Sequence, residues 1–233
     1  MVKSRKNKKC VVLLSGGIDS CVSCAIAKKE GYRIWALTFD YGQRHRKEIE
    51  HAKKIAKFFK IKEHLILKID LRKIGGSALT SDSIKVPKKR SLKEITKKIP
   101  PTYVPARNTI FLSFALSLAE KISAESIFIG ANCIDFSGYP DCRPQYFKVF
   151  EELIKVGTKK GVEGYPIKIR TPLINLTKAE IIKKGIELKA PLELTWSCYE
   201  GKRFACGECD ACKLRLKGFK EAGLKDPIKY AKS

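Results

Sequence analysis

Short apolar runs alternate with longer amphipathic stretches through most of this chain. Cys10–Leu14 is a continuous apolar run, short enough for a buried strand, and it ends in Ser15-Gly16-Gly17-Ile18-Asp19-Ser20. Asp19 to Glu30 is helix-compatible and closes on Gly31, a helix stop. Tyr32–Phe39 reads as a second strand. Arg46–Lys60 reads as an amphipathic helix with Ile49, Ile55, Phe58 and Phe59 on its buried face. Leu65–Ile69 is a third strand. Residues 70–106 follow no regular period, carry Gly75-Gly76 and read as a lid or active-site insertion. Asn108 is placed as the N-cap of an apolar helix over 109–121. Ser126–Gly130 is a buried strand, Gln145–Lys160 a helix and Ile167–Ile169 a short strand. Thr177-x-x-Glu180 is a capping box that opens a helix running to about Lys189.

Strands alternating with helices from residue 10 to about 190 predict an α/β fold: a Rossmann-like, mainly parallel sheet with helices on both faces. Residues 1–190 are expected to form a nucleotide-binding domain, and residues 191–233 a small cysteine-bearing subdomain. No apolar run approaches the ~20 residues of a membrane span. The basic head, Met1 to Lys9, meets too short an apolar run for a secretory signal, so a cytoplasmic location is expected.

Charge narrows the class of partner. The chain has 48 Lys+Arg against 24 Asp+Glu, a formal net charge of +24. Such a field attracts nucleotides and pyrophosphate. The basic residues are spread along the whole chain with no RNA-binding aromatic motif, so solvation and nucleotide attraction account for them better than nucleic-acid recognition.

The candidate chemistry starts at the glycine turn. A strand, a tight Gly-Gly turn and a helix start aim backbone N–H groups into one concavity, which suits phosphate. Ser15 and Ser20 can donate hydroxyl hydrogen bonds there, and Asp19 can hold Mg²⁺ or cap the helix. Asp40 and Gln43 follow the second strand, where ligands of such sheets sit, although turn chemistry explains them equally. Arg107 is a candidate phosphate or carboxylate clamp. The loop holding Asp135, Phe136, Tyr139, Asp141, Cys142 and Arg143 could stack and read a planar polar molecule. Lys178 stands at a helix start, where the dipole disfavours it, and a facing phosphate would explain it. His45 and His51 are read as surface or hydrogen-bonded histidines.

Nine cysteines in such a chain argue for a metal or core packing rather than disulfides. Cys198, Cys206, Cys209 and Cys212 have the number and spacing for one structural Zn²⁺, with an iron–sulfur cluster as the alternative.

Taken in order, L-L-S-G-G-I-D-S, F-D-Y-G-Q-R-H, Y-V-P-A-R-N-T-I-F, G-Y-P-D-C-R-P, T-P-L-I-N-L-T-K-A-E-I and E-L-T-W-S-C-Y with C-G-E-C-D-A-C are similar to the 7-cyano-7-deazaguanine synthase family, whose members are pyrophosphatase-loop ATP enzymes. The resemblance covers nearly the whole chain. It implies an adenine nucleotide alpha hydrolase-like fold and a carbon–nitrogen ligase that turns 7-carboxy-7-deazaguanine, ammonia and ATP into the nitrile that opens the queuosine and archaeosine routes of tRNA modification. It also implies ATP bound by Leu14, Ser15, Gly16, Gly17, Ile18, Asp19, Ser20, Cys21, Val22, Ser23 and Cys24. Catalysis would fall to Asp19, Arg107 and Lys178, and substrate binding to Asp40, Gln43, Asp135, Tyr139, Asp141 and Arg143. Structural Zn²⁺, Mg²⁺ with ATP, free ammonia as the nitrogen source and a homodimer complete the expectation. A tRNA thiolase with the same loop, marked by iron or sulfur transfer, and a zinc-ribbon RNA binder are the competing readings.

Overall fold

In chain order the elements are β1 (Lys9–Leu13), α1 (Ile18–Lys29), β2 (Arg33–Asp40), α2 (Lys47–Phe58), β3 (Glu63–Lys68), α3 (Leu92–Ile95), α4 (Arg107–Lys121), β4 (Ser126–Phe128), α5 (Pro144–Gly157), α6 (Lys159–Val162), β5 (Lys168–Arg170), α7 (Lys178–Glu187) and α8 (Asp210–Glu221). The computed structural model describes residues 8–44, 46–95, 99–134, 138–200 and 203–231. The strands form one parallel sheet in the order β3-β2-β1-β4-β5, with Val11 opposite Trp35 on one side and Ile127 on the other.

Alternation along β1 divides the core in two, because successive strand side chains point to opposite faces. Cys10 and Val12 join a buried cluster with α1, α2 and α7; Val11 and Leu13 join a second with α4 and α5. Helices therefore cover both faces, as the α/β pattern predicts. No helix among the described residues is long and apolar enough to cross a membrane.

Several local expectations change. Phe58 is 49% exposed, and Ala52 and Ala56 fill the inward stripe of α2 instead, beside Ile49, Ile55 and Phe59. Asn108 is not a cap: α4 begins one residue earlier, after Ala106 in a left-handed conformation (φ 51°). The backbone N–H of Asn108 donates to Asp141 Oδ2 at 3.1 Å, so a carboxylate from a distant segment serves that helix start. The helix expected over 145–160 breaks at Thr158, which is extended (φ −127°, ψ 153°) and whose hydroxyl accepts from Gly161 N–H to open α6. The capping box at Thr177 and Glu180 forms in full.

Parts of the described residues 70–95 and 99–106 pack into the buried core. Ala78 and Val86 share a buried cluster with Trp196, Cys198, Cys209 and Cys212. Lys88 bridges the backbone of Cys209, and Arg90 pairs with buried Asp210. The tail is locked by Arg215, which is 1% exposed. Its guanidinium donates to both Asp226 carboxylate oxygens at 2.7 and 3.0 Å and to Thr195 Oγ1 at 2.8 Å, while Tyr230 OH donates to Asp226 at 2.6 Å.

Candidate active site

The order in which strands are added reverses at β1, since β2 and β3 lie on one side of it and β4 and β5 on the other. The carboxyl ends of β1 and β4 thus bound a crevice at a switch point, where open α/β sheets take ligands. A cavity of ≈ 330 Å³ occupies that crevice.

One wall is the glycine loop. Gly16 has φ +88°, and a Cβ there would lie 2.2 Å from the carbonyl oxygen of Glu48, so only glycine lets the loop rest on α2. The loop is braced from within: Gly17 N–H donates to Ser15 Oγ at 3.3 Å, and the Ser20 hydroxyl donates to Gly17 O at 3.0 Å. Trp196 N–H donates to Gly16 O at 2.9 Å and ties the loop to the C-terminal segment. No side chain caps α1, which leaves its first-turn N–H groups for an anion.

Opposite the loop, Lys178 Nζ donates to Asp19 Oδ1 and Oδ2 at 2.6 and 2.7 Å, so Asp19 is an ion-pair partner rather than a helix cap. A Cβ at Gly218 would lie 2.3 Å from Lys178 Cγ: the bare glycine of α8 is what gives the lysine stem its place. Arg107, the first residue of α4, donates to Tyr41 OH at 3.4 Å. The floor is apolar. Phe39 and Phe111 are stacked, 3.9 Å between centroids and 5° between planes. Burial pushes the Tyr41 hydroxyl and the Cys142 thiol each up to about 12, so both stay protonated at neutral pH. Glu48 also faces the cavity; burial pushes its carboxyl up to about 7 against the pull of the Arg107 guanidinium.

Of the residues singled out in the sequence, Leu14, Ser15, Gly17, Ile18, Asp19, Ser20, Gln43, Arg107, Tyr139 and Lys178 line this cavity. Others stand elsewhere. Gly16 lies beneath the loop. Cys21, Val22 and Cys24 turn into the core between α1 and the sheet, and Ser23 is buried with its hydroxyl unpartnered among the described residues. Asp40 lies 3.6 Å from Arg46, at a separate recess shared with Asp70 and Arg72. Asp141 is buried at the start of α4, and Arg143 is exposed ahead of α5. Asp135 lies outside the described residues. Tyr41, Glu48, Phe111, Ser197, Tyr199 and Arg215 line the cavity without having been assigned a role. Tyr41 and Tyr199 sit inside quoted motifs and were legible there; Glu48 carried no signal, since its helix alternates Lys and Glu like any solvated one.

The four cysteines suit a metal ion. Their sulfur atoms lie within 4.8 Å of one another on largely buried residues. Backbone N–H groups of Glu200 and Cys206 point at Cys198 Sγ at 3.4 and 3.3 Å, and those of Glu208 and Cys209 at Cys206 Sγ at 3.4 and 3.3 Å. Such donors favour thiolates, the form that binds metal.

The family model described as "Queuosine biosynthesis protein QueC" matches residues 9–223. The chain belongs to the QueC family. Two QueC relatives named 7-cyano-7-deazaguanine synthase give the scale of the match. That of Acetivibrio thermocellus is 57% identical over 223 residues, covering 96% of this chain and 98% of its own. That of Thermoplasma volcanium is 55% identical over 225 residues, covering 97% and 92%. Among solved structures, NMN synthetase from Francisella tularensis has a TM-score of 0.50 at 17% identity, covering 94% of this chain and 78% of that one. That likeness is one of fold, a parallel α/β sheet, and extends it beyond QueC.

Proposed function

We propose that the protein is a 7-cyano-7-deazaguanine synthase that uses ATP twice. It adenylates 7-carboxy-7-deazaguanine, replaces AMP with ammonia to give the amide, then adenylates the amide oxygen so that AMP leaves and the nitrile forms. What carries this reading is the cavity at the switch point: a glycine loop and an uncapped helix start face Lys178 and Arg107 over an aromatic floor, in a chain related to synthases of that name over nearly its full length.

A carboxylate is a poor electrophile, and AMP transfer makes it a good one. The loop from Ser15 to Ser20 would hold the pyrophosphate side of ATP with Mg²⁺, and Lys178 and Arg107 would offset charge as it develops on phosphorus. The stacked Phe39 and Phe111 offer a planar base a flat apolar surface, and Gln43 and Tyr139 offer polar groups at its edge. Cys198, Cys206, Cys209 and Cys212 would hold one Zn²⁺, whose contribution is a cross-link that fixes Trp196 against the loop. A second copy is the expected partner, supported by an exposed apolar stripe on α5, Val149, Leu153 and Val156.

The test is mass spectrometry of purified protein with 7-carboxy-7-deazaguanine, ammonium, Mg²⁺ and ATP. Nitrile and AMP together are expected; folded, metal-loaded protein that yields neither overturns the reading. Light scattering checks the dimer.

A further inference from the structure

The reaction proposed above sheds a proton at nitrogen. When ammonia adds to the acyl-adenylate, its lone pair makes the C–N bond and the nitrogen becomes positively charged. That nitrogen must lose a proton before the C–O bond to AMP breaks; otherwise ammonia is itself the better leaving group and departs again. A base within reach of the reacting carbon is therefore required.

The cavity offers few candidates. Among the described residues its lining includes no histidine and two carboxylates, Asp19 and Glu48. Asp19 is engaged by both of its oxygens with Lys178. The Tyr41 phenol and the Cys142 thiol are held protonated by burial and so cannot take up a proton at neutral pH. Glu48 is different. It stands in the first turn of α2, directly beneath the glycine loop, whose Gly16 packs on the Glu48 carbonyl. Glu48 lines the cavity, its carboxylate has no hydrogen-bond donor among the described residues, and the Arg107 guanidinium, which also lines the cavity, acts on it through charge.

We propose that Glu48 is the proton acceptor for amide formation: it takes the proton from nitrogen as ammonia adds to the acyl-adenylate. The electron pair of that N–H bond stays on nitrogen, the C–O bond then breaks, and AMP departs with its electrons. Glu48 afterwards returns the proton to water. The inference rests on the reading of the protein as this synthase. A carboxyl that titrates close to the working pH suits the task, since it is ionised often enough to act and basic enough to hold the proton.

The experiment compares two starting points. Glu48→Gln keeps the size of the side chain and removes the base. Wild-type protein, Glu48→Gln and Glu48→Asp are each given ATP and Mg²⁺ with either the 7-carboxy compound plus ammonium or the ready-made 7-amide. We expect Glu48→Gln to keep ATP–pyrophosphate exchange with the 7-carboxy compound within a few-fold of wild type, since that adenylation sheds no proton at nitrogen. We expect it to form nitrile on the order of 10²-fold more slowly from the carboxylate and more slowly also from the amide, which loses two further protons from the same nitrogen, and Glu48→Asp to recover part of the lost rate. Loss of pyrophosphate exchange in step with nitrile in Glu48→Gln, or no loss of nitrile formation at all, overturns the assignment. Wild-type protein that makes no nitrile from either compound overturns the function itself, which is a separate result.

Discussion

Lys178 and Asp19 are 159 positions apart in sequence, yet the lysine ammonium meets both carboxylate oxygens of the aspartate, at 2.6 and 2.7 Å. The pair joins the start of α7 to the start of α1, beside the glycine loop. Neither group is fully buried: the side chains are 16% and 28% exposed. Its energetic worth to the fold is therefore small, about 1 kcal/mol or less. Lys178→Met and Asp19→Asn are expected to melt within a few degrees of wild type and to form AMP on the order of 10²- to 10³-fold more slowly. Steady-state AMP release beside a thermal melt checks both halves.

Gly218 sets the lysine's position from behind. A methyl at Gly218 would meet Lys178 Cγ at 2.3 Å and Cβ at 2.9 Å, and Ile182 Cδ1 at 3.0 Å. Gly218→Ala must push the lysine stem toward the cavity or part α8 from α7. We expect kcat to fall at least ten-fold while metal content stays at the wild-type value; unchanged turnover would show that the stem has room to spare.

Metal removal should loosen two segments that are distant in sequence. The cysteines share one buried cluster with Ala78 and Val86 of residues 70–106. Structural zinc contributes folding energy directly. Cys209→Ser, or a strong chelator, is expected to raise amide exchange over both 77–90 and 196–215, read by hydrogen-exchange mass spectrometry. Exchange confined to the cysteine segment would contradict this. Elemental analysis and an optical spectrum identify the metal, since an iron–sulfur cluster is coloured and zinc is not.

The Arg215–Asp226 pair is of another kind. Its side chains are 1% and 4% exposed, so removing one partner strands a buried charge. Asp226→Ala is expected to cost about 3–5 kcal/mol, a drop of roughly 6–20 °C in melting temperature. A shift of under 2 °C would show that the tail does not contribute to the fold.

The sequence carried much of the sheet plainly, because Cys10–Leu13 of β1 and the centre of β2 are apolar runs and the helix between them is followed by the stop Gly31. The glycine loop, the capping box and the cysteine spacing were equally legible, since each is local. What escaped it depends on contacts between distant segments. Asn108 has the chemistry of a cap, but Asp141 supplies that function from 33 positions away. Phe58 is as apolar as Phe59, and only the angle of α2 against the sheet decides which is buried. Cys21, Val22 and Cys24 follow the loop closely in sequence, yet the helix period turns them into the core. Glu48 sits in a helix whose composition is that of a solvated one, and it faces the cavity because the loop folds over it.

The position of β1 bears on how the protein is made. As residues leave the ribosome, β1, β2 and β3 can pair early, but the other edge of β1 stays open until β4 emerges more than a hundred residues later. Burial of that edge is thus a late event in synthesis, when unpaired strand edges are most prone to aggregation. The glycine loop waits longer still, because Gly16 O is held by Trp196 N–H. A nascent chain that already displays the whole glycine motif therefore lacks the support that shapes it until the segment holding Trp196 has been made.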